Sequence, residues 1–396
     1  MLKKVMHPGV TEAFSRGCNW LSYVLLPFWL TASEFGRFSF VLALVLLVSA
    51  ISTAGQDRAI LRFVSGGDIR SRLRTTAALF ISVLFALFCL ACVRLLVETT
   101  SILPDYNVPW SLVLIWIGLQ MLCLLIAALS RALNDNNAFA VVRGIYGASK
   151  LVCLNLVAAQ FAEIESVIWT EVTLLALVTL FAVFRFRQHI FAGPSIKVAK
   201  QSLLFGMPLV LHVLAGASLG QLDKLMIGNM LDATSLGLYA FLNSLASGVF
   251  FVFAVFNITY ETRIYQSKDA VAAESMMSDM LKYSVGIAMV LLAAVNIGLS
   301  PLLIFLDKAA YFDAHVLAIL SVAYLVYPLY LQANVRFIHA KQTRWIPLMT
   351  GLAALVNVAA NLILIPLMGI QGAAWSTLLS YAVLVMFAQF TSRRIA

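Results

Sequence analysis

Apolar runs of roughly 20 residues, the length that crosses a bilayer as a helix, succeed one another along the whole chain. Short clusters of charges and turn residues separate them. The pattern predicts spans at 10–32, 37–57, 75–97, 109–130, 138–161, 164–185, 201–230, 234–260, 282–306, 314–338, 345–366 and 370–390. Two of these carry charges within them: the first holds Glu12 and Arg16, the seventh Asp223 and Lys224. An all-α integral membrane protein of about twelve transmembrane helices is the expectation.

Composition agrees. Of 396 residues, 62% are hydrophobic and 11% charged, and mean hydropathy is +0.94. Soluble domains run nearer half apolar and a quarter charged, so a water-facing surface cannot be assembled from this stock. Net charge is +9. Its distribution points to membrane topology, because basic residues collect on cytoplasmic loops. One set of connections holds Lys3 and Lys4; Arg58, Arg62, Arg70, Arg72 and Arg74; Arg131; Arg185, Arg187, Lys197 and Lys200; Arg263, Lys268 and Lys282; Arg336, Lys341 and Arg344; and Arg393 with Arg394. The alternate set holds Glu34 with Arg37, Glu98 with Asp105, Glu163 with Glu165, Asp232, and Asp307, Lys308 and Asp313. The alternation places both termini in the cytoplasm and makes the span number even. No contiguous soluble basic face remains to bind nucleic acid. The five cysteines lie in apolar stretches, and the Cys89–Cys92 pair has no second metal-binding or redox partner motif.

An internal echo divides the chain. Leu30-Thr-Ala-Ser-Glu-Phe-Gly36-Arg-Phe-Ser-Phe40 joins the first two spans, and Leu231-Asp-Ala-Thr-Ser-Leu-Gly237-Leu-Tyr-Ala-Phe241 joins the seventh and eighth. Asn155 and Trp169 are spaced like Asn361 and Trp375. With six spans between copies, the repeat is parallel, giving six-helix lobes over 1–190 and 191–396.

Four stretches carry a resemblance. They are Phe35-Gly36-Arg37-Phe38 leading to Thr53-Ala-Gly-Gln-Asp-Arg-Ala-Ile-Leu-Arg-Phe-Val-Ser65; Phe205-Gly206-Met207-Pro208 with Leu222-Asp-Lys-Leu-Met-Ile-Gly228; Leu236-Gly-Leu-Tyr-Ala240; and Asn357 through Asn361, Pro366, Gly369 and Gly372 to Trp375. Together they resemble the polysaccharide-export branch of the superfamily that also holds the multidrug and toxin exporters, a branch containing the Wzx-type flippases for lipid-linked O-antigen and related repeat units. The resemblance implies a MATE-like fold of two lobes. It also implies residence in a bacterial inner membrane and export of a polyprenyl-pyrophosphate-linked oligosaccharide, with a polysaccharide polymerase and chain-length machinery as partners.

Charge within a span is costly, so ionisable residues there are functional candidates. Lys150 lies roughly 18 Å into the fifth span at about 1.5 Å per residue, near the midplane. Arg143 stands seven residues earlier, on the same face of a regular helix, with Gly144 and Gly147 between. Such a cationic stripe faces either an anionic substrate or a buried carboxylate, and Glu171 in the sixth span is the candidate counter-charge. Asp223, Lys224 and His212 in the seventh span are further cavity candidates. Arg16, Asp57, Arg58 and Arg62 near the cytoplasmic end form a funnel for an anionic head group, or snorkel there.

No GxxxxGK[ST] or HExxH signature is present, no GxSxG has a plausible triad and no DxD falls in a periplasmic loop, so no built-in ATPase, metalloprotease or hydrolase chemistry is expected. No cofactor is expected. Coupling to protons, to sodium or to neither is left open by the residues. Two competing readings remain: a cation-coupled drug antiporter of the same fold, whose site should be lined by acids, and a membrane glycosyltransferase or polymerase, which needs a substantial periplasmic loop.

Overall fold

A backbone crossing lipid must close its own hydrogen bonds, and every predicted run does so as a helix. The computed structural model describes residues 8–99, 108–193, 195–267, 269–340, 342 and 344–395, and no strand occurs among them. Of the loop charges, Lys3, Lys4, Asp105, Lys268 and Lys341 lie outside these residues, as do the side chains of Glu98 and Arg263.

The helices are α1 Pro8–Trp29, α2 Ala32–Ser52, α3 Gln56–Phe63, α4 Ile69–Thr99 and α5 Trp110–Ala132. Next come α6 Asn136–Phe161, α7 Ile164–Ile190, α8 Ile196–Met230, α9 Ala233–Gln266 and α10 Ala270–Phe305. The last are α11 Ala314–Val326, α12 Pro328–His339, α13 Trp345–Met368 and α14 Ile370–Ile395. Eleven spans among the described residues are long and apolar enough to cross a membrane, α11 and α12 together counting as one. The twelfth expected span, α1, is long enough at 22 residues. Glu12, Ser15, Arg16 and Asn19 leave it short of the same apolarity.

Three features of the helices depart from the periodicity. The second span does not run to 57. It stops at Ser52, where Ala54 (φ 50) and Gly55 (φ 69) turn left-handed and redirect the chain into α3. Asp57, Arg58 and Arg62 therefore sit on a short separate helix rather than on the end of a span. The fifth span contains a π-helical stretch, Ala140–Ile145, which inserts an extra residue and rotates the rest of the helix about its axis. The tenth is interrupted at Tyr327, just before Pro328, where the proline lacks the amide that would continue the ladder.

By contacts the chain divides into two units. The first comprises Met1–Ser22 with Phe40–Ala217; the second comprises Tyr23–Ser39 with Ser218–Ala396. Helices α1, α2 and α8 each contribute to both.

Each unit has a point of very close backbone approach. In the first, a Cβ on Gly55 would lie 2.4 Å from the Gly206 carbonyl oxygen. Beside it, buried Gln56 donates to the Ser202 carbonyl and accepts from the Ser202 hydroxyl. In the second, the echoed motifs meet each other. A Cβ on Gly36 would lie 1.7 Å from the Ala233 carbonyl oxygen, and one on Gly237 would lie 1.9 Å from that of Ala32. Ala32-xxx-Gly36 and Ala233-xxx-Gly237 thus form a reciprocal small-residue contact, of the kind that lets helices in lipid approach closely. Thr31 and Asp232, equivalent in the two copies, cap α2 and α9 respectively, accepting from the amides of Glu34 (3.2 Å) and Ser235 (2.9 Å).

Candidate functional site

The close approach of α1 to α6 brings charges together in the first unit. A Cβ on Gly147 would meet Ser15 at 3.2 Å, and one on Gly144 would meet the Thr11 side chain at 3.3 Å. These glycines therefore serve helix packing. Held at that distance, Glu12 of α1 receives both arms of Arg143, Nε to Oε2 at 3.0 Å and Nη2 to Oε1 at 2.9 Å. Arg16 adds a third bond to Glu12 through Nε at 2.9 Å, with its own side chain 60% exposed. A forked guanidinium on a carboxylate is among the stronger side-chain pairings.

Lys150 pairs elsewhere. Its Nζ contacts Glu171 Oε1 of α7, and Tyr146, one turn earlier, donates to the same oxygen at 2.9 Å. Lys150 is 3% exposed and Glu171 1%. The other carboxylate oxygen of Glu171, Oε2, is buried without a hydrogen-bond partner among the described residues. The single cationic stripe expected from seven-residue spacing is not formed: Arg143, within the π-helical stretch, meets α1, and Lys150, beyond it, meets α7. Buried Cys123 of α5 lies within electrostatic reach of all four charged groups. Glu12 and Tyr146 were not among the candidates read from sequence. Tyr146 had a signal, since it precedes Lys150 by four residues and so shares its face; nothing local marked Glu12 as the partner of Arg143.

Asp223 is a buried acid of the second unit, 3% exposed. It accepts from Tyr239 Oη at 2.5 Å and from the amide of Lys224 at 2.8 Å. Tyr239 Oη also lies 3.4 Å from Thr377 Oγ1. Lys224 turns away along α8, its Nζ donating to Gln221 Oε1 at 3.2 Å and to the Gly220 carbonyl at 3.4 Å. In the same unit Asn361 donates to Asn357 at 3.1 Å, and Asn357 to Ser380 at 3.4 Å. There too Phe250, Tyr324, Tyr327 and Tyr381 pack around the α11–α12 break with centroids 5.0–5.8 Å apart. Tyr324 donates to Asn243 at 2.6 Å. No period or motif singles out this aromatic group.

The remaining candidates are peripheral to these clusters. Asp57 contacts Arg58 at 3.3 Å, and Arg58 is 62% exposed. The Arg62 guanidinium lies over the rings of Phe63 (5.8 Å) and Phe205 (5.3 Å). The side chain of His212 lies outside the described residues. Among the described residues, no three His, Cys, Asp or Glu side chains gather as a metal-binding group.

Many apolar spans in two units, with one ion pair sealed inside the first, define a polytopic membrane protein. Solved structures share the fold. An inward-facing MATE-family multidrug resistance transporter of the MOP superfamily aligns with TM-score 0.70 and 11% identity, over 97% of this chain and 99% of that one. The lipid II flippase MurJ in an inward closed conformation aligns at 0.72 and 14%, over 98% and 87%. A MOP-superfamily transporter from Pyrococcus furiosus, described as having a binding pocket of reversed polarity, aligns at 0.55 and 12%, over 99% and 96%. No curated protein sequence matches the chain. The chain belongs to the polysaccharide biosynthesis protein family, whose model matches residues 2–259. Family and fold are those of membrane transporters and flippases.

Proposed function

We propose that this protein is a flippase that moves a polyprenyl-pyrophosphate-linked oligosaccharide from the cytoplasmic to the periplasmic leaflet of a bacterial inner membrane. The observation that carries the reading is the family match over residues 2–259, supported by the fold held in common with a lipid II flippase. Transport proceeds by alternating access, with the polyprenyl tail left in lipid. The accessible cations Arg16, Arg58 and Arg62 are the first contacts for the pyrophosphate, and the Lys150–Glu171 pair holds the first unit together behind them. Cells lacking the protein are expected to make the lipid-linked repeat unit, retain it on the cytoplasmic leaflet and lose the surface polymer. A deletion strain with its polymer intact would exclude this function.

A second reading, a cation antiporter of the same fold, is favoured by one observation. Both deep basic residues of the first unit are matched by acids, Arg143 by Glu12 and Lys150 by Glu171, so these two cations leave little net positive charge in its interior. Sensitivity of the deletion strain to cationic dyes, with normal polymer, selects this alternative.

Orientation is tested separately. Reporter fusions after Glu165, Asp232 and Asp313 are expected to report periplasm, and those after Arg70 and Lys197 cytoplasm. A single inverted result within the series would refute the assigned topology.

A further inference from the structure

The arginine-rich end of the first unit holds a cavity that the transport reading does not use. It has a volume of about 750 Å³ and is lined by three segments: Gly66–Gly67 between α3 and α4, Leu133–Asn137 at the turn from α5 into the start of α6, and Phe184–His189 at the end of α7. Pockets of roughly 300–1,000 Å³ hold small organic ligands. The third segment bends where Phe186 leaves helical geometry (φ −107, ψ 18).

The polar groups on its walls and beside them are unequally satisfied. Asp135 is fully engaged, accepting from the Ala138 amide at 3.0 Å and pairing with Arg185 at 2.7 Å. Arg187 has no such acid among the described residues; its guanidinium lies over the Phe184 ring at 5.4 Å. The His189 ring is hydrogen-bonded to the Gly66 backbone, while its Nε2 is buried without a partner among the described residues. Arg72, within electrostatic reach of His189, has a buried Nε that likewise lacks a partner there. The acid in the loop before Arg72, Asp68, is exposed and is held below the usual carboxylate range by hydrogen bonds from Ser71.

We infer that this cavity is a binding site for a phosphate-bearing anion. Snorkelling arginines keep their heads in water and need neither a cavity of this size nor buried unpaired nitrogens. A phosphate group matches both features, because its oxygens take several N–H donors at once and guanidinium forks fit it bidentately. The remaining volume accommodates the moiety that the phosphate carries. Two sources share this chemistry, a soluble phosphate ester and an anionic lipid head group. Such a site is independent of what the protein transports.

The test uses the full chain in phosphatidylcholine nanodiscs. Inorganic pyrophosphate and uridine diphosphate are titrated in one arm, and phosphatidic acid is introduced into the disc in the other. Binding is monitored by thermal stabilisation and by native mass spectrometry. Saturable binding is expected in at least one arm. It should weaken at least about tenfold in an Arg187→Gln/His189→Gln variant, as expected from losing a charge-assisted contact, and weaken less in Arg187→Lys, which keeps the charge but not the fork. Arg393→Gln, which removes the same charge elsewhere, should bind as the parent does. Binding in the soluble arm assigns the site to a free phosphate ester, and binding only in the lipid arm assigns it to a head group. No saturable binding in either arm, or equal weakening by Arg393→Gln, overturns the site.

Discussion

Gly36→Ala and Gly237→Ala are each expected to strip most folded protein from the membrane. The added methyl would stand 1.7 Å from the Ala233 carbonyl oxygen in the first case and 1.9 Å from that of Ala32 in the second. Both obstacles are backbone, so no rotamer change relieves them, and α2 and α9 must separate. The cost should exceed the roughly 1–3 kcal/mol of an ordinary overpacked side chain. Once one substitution has separated the helices, the second meets less resistance, so the double variant should cost less than the sum of the singles. Gly286 and Gly298 serve as controls, because a Cβ there has nothing within 4 Å and alanine favours a helix by about 1 kcal/mol over glycine. The measurement is membrane abundance together with the thermal midpoint of the detergent-solubilised protein. Gly36→Ala behaving like Gly298→Ala would show that the close contact does not support the fold.

The second large effect concerns Lys150 and Glu171. Neutralising either residue alone leaves the other charged and buried, a loss of about 3–5 kcal/mol for a broken buried pair. Lys150→Met and Glu171→Gln are therefore each expected to lower abundance sharply, and the double variant, which contains neither charge, should recover it. Tyr146 can still donate to the glutamine carbonyl, so the double variant does not orphan that hydroxyl. Surface polymer normalised to membrane protein then separates two roles. If it returns along with abundance in the double variant, the pair is structural. If abundance returns and polymer does not, the charges are needed during transport. Single variants as abundant and as stable as the parent would contradict the sealed pair.

Helix positions were legible because lipid imposes a strict rule: each crossing needs roughly 20 apolar residues with their backbone bonds closed internally. The loop between α13 and α14 and the run 164–185 could therefore be placed within a few residues. Local interruptions inside apolar sequence escaped the pattern. Ala140–Ile145 reads like any α-helical stretch of a span, and only its backbone geometry reveals the π-helical register. The turn at Thr53–Gly55 likewise sits in residues whose composition permits a continuing helix, and the Gly55–Gly206 approach accompanies the actual bend.

The charged candidates show the same division. The sequence placed Lys150 and Arg143 inside one span and named Glu171 as a counter-charge, because a charge in lipid requires a partner. That Arg143 takes Glu12 instead is due to Gly144 and Gly147, which admit α1 to within reach of α6. Asp223 was conspicuous as an acid in an apolar run; its satisfaction by Tyr239 and the proximity of Thr377 depend on three helices converging. The echo around Gly36 and Gly237 was visible as repeated letters, but not as one contact. Hydrophobicity is a property of each segment by itself, so helical class, eleven of the twelve expected spans and the stock of charge within them were determined by the sequence alone. Pairing of charges, close approach of glycines and the cavity at His189 depend on distances between segments far apart along the chain, and only the tertiary structure decides those.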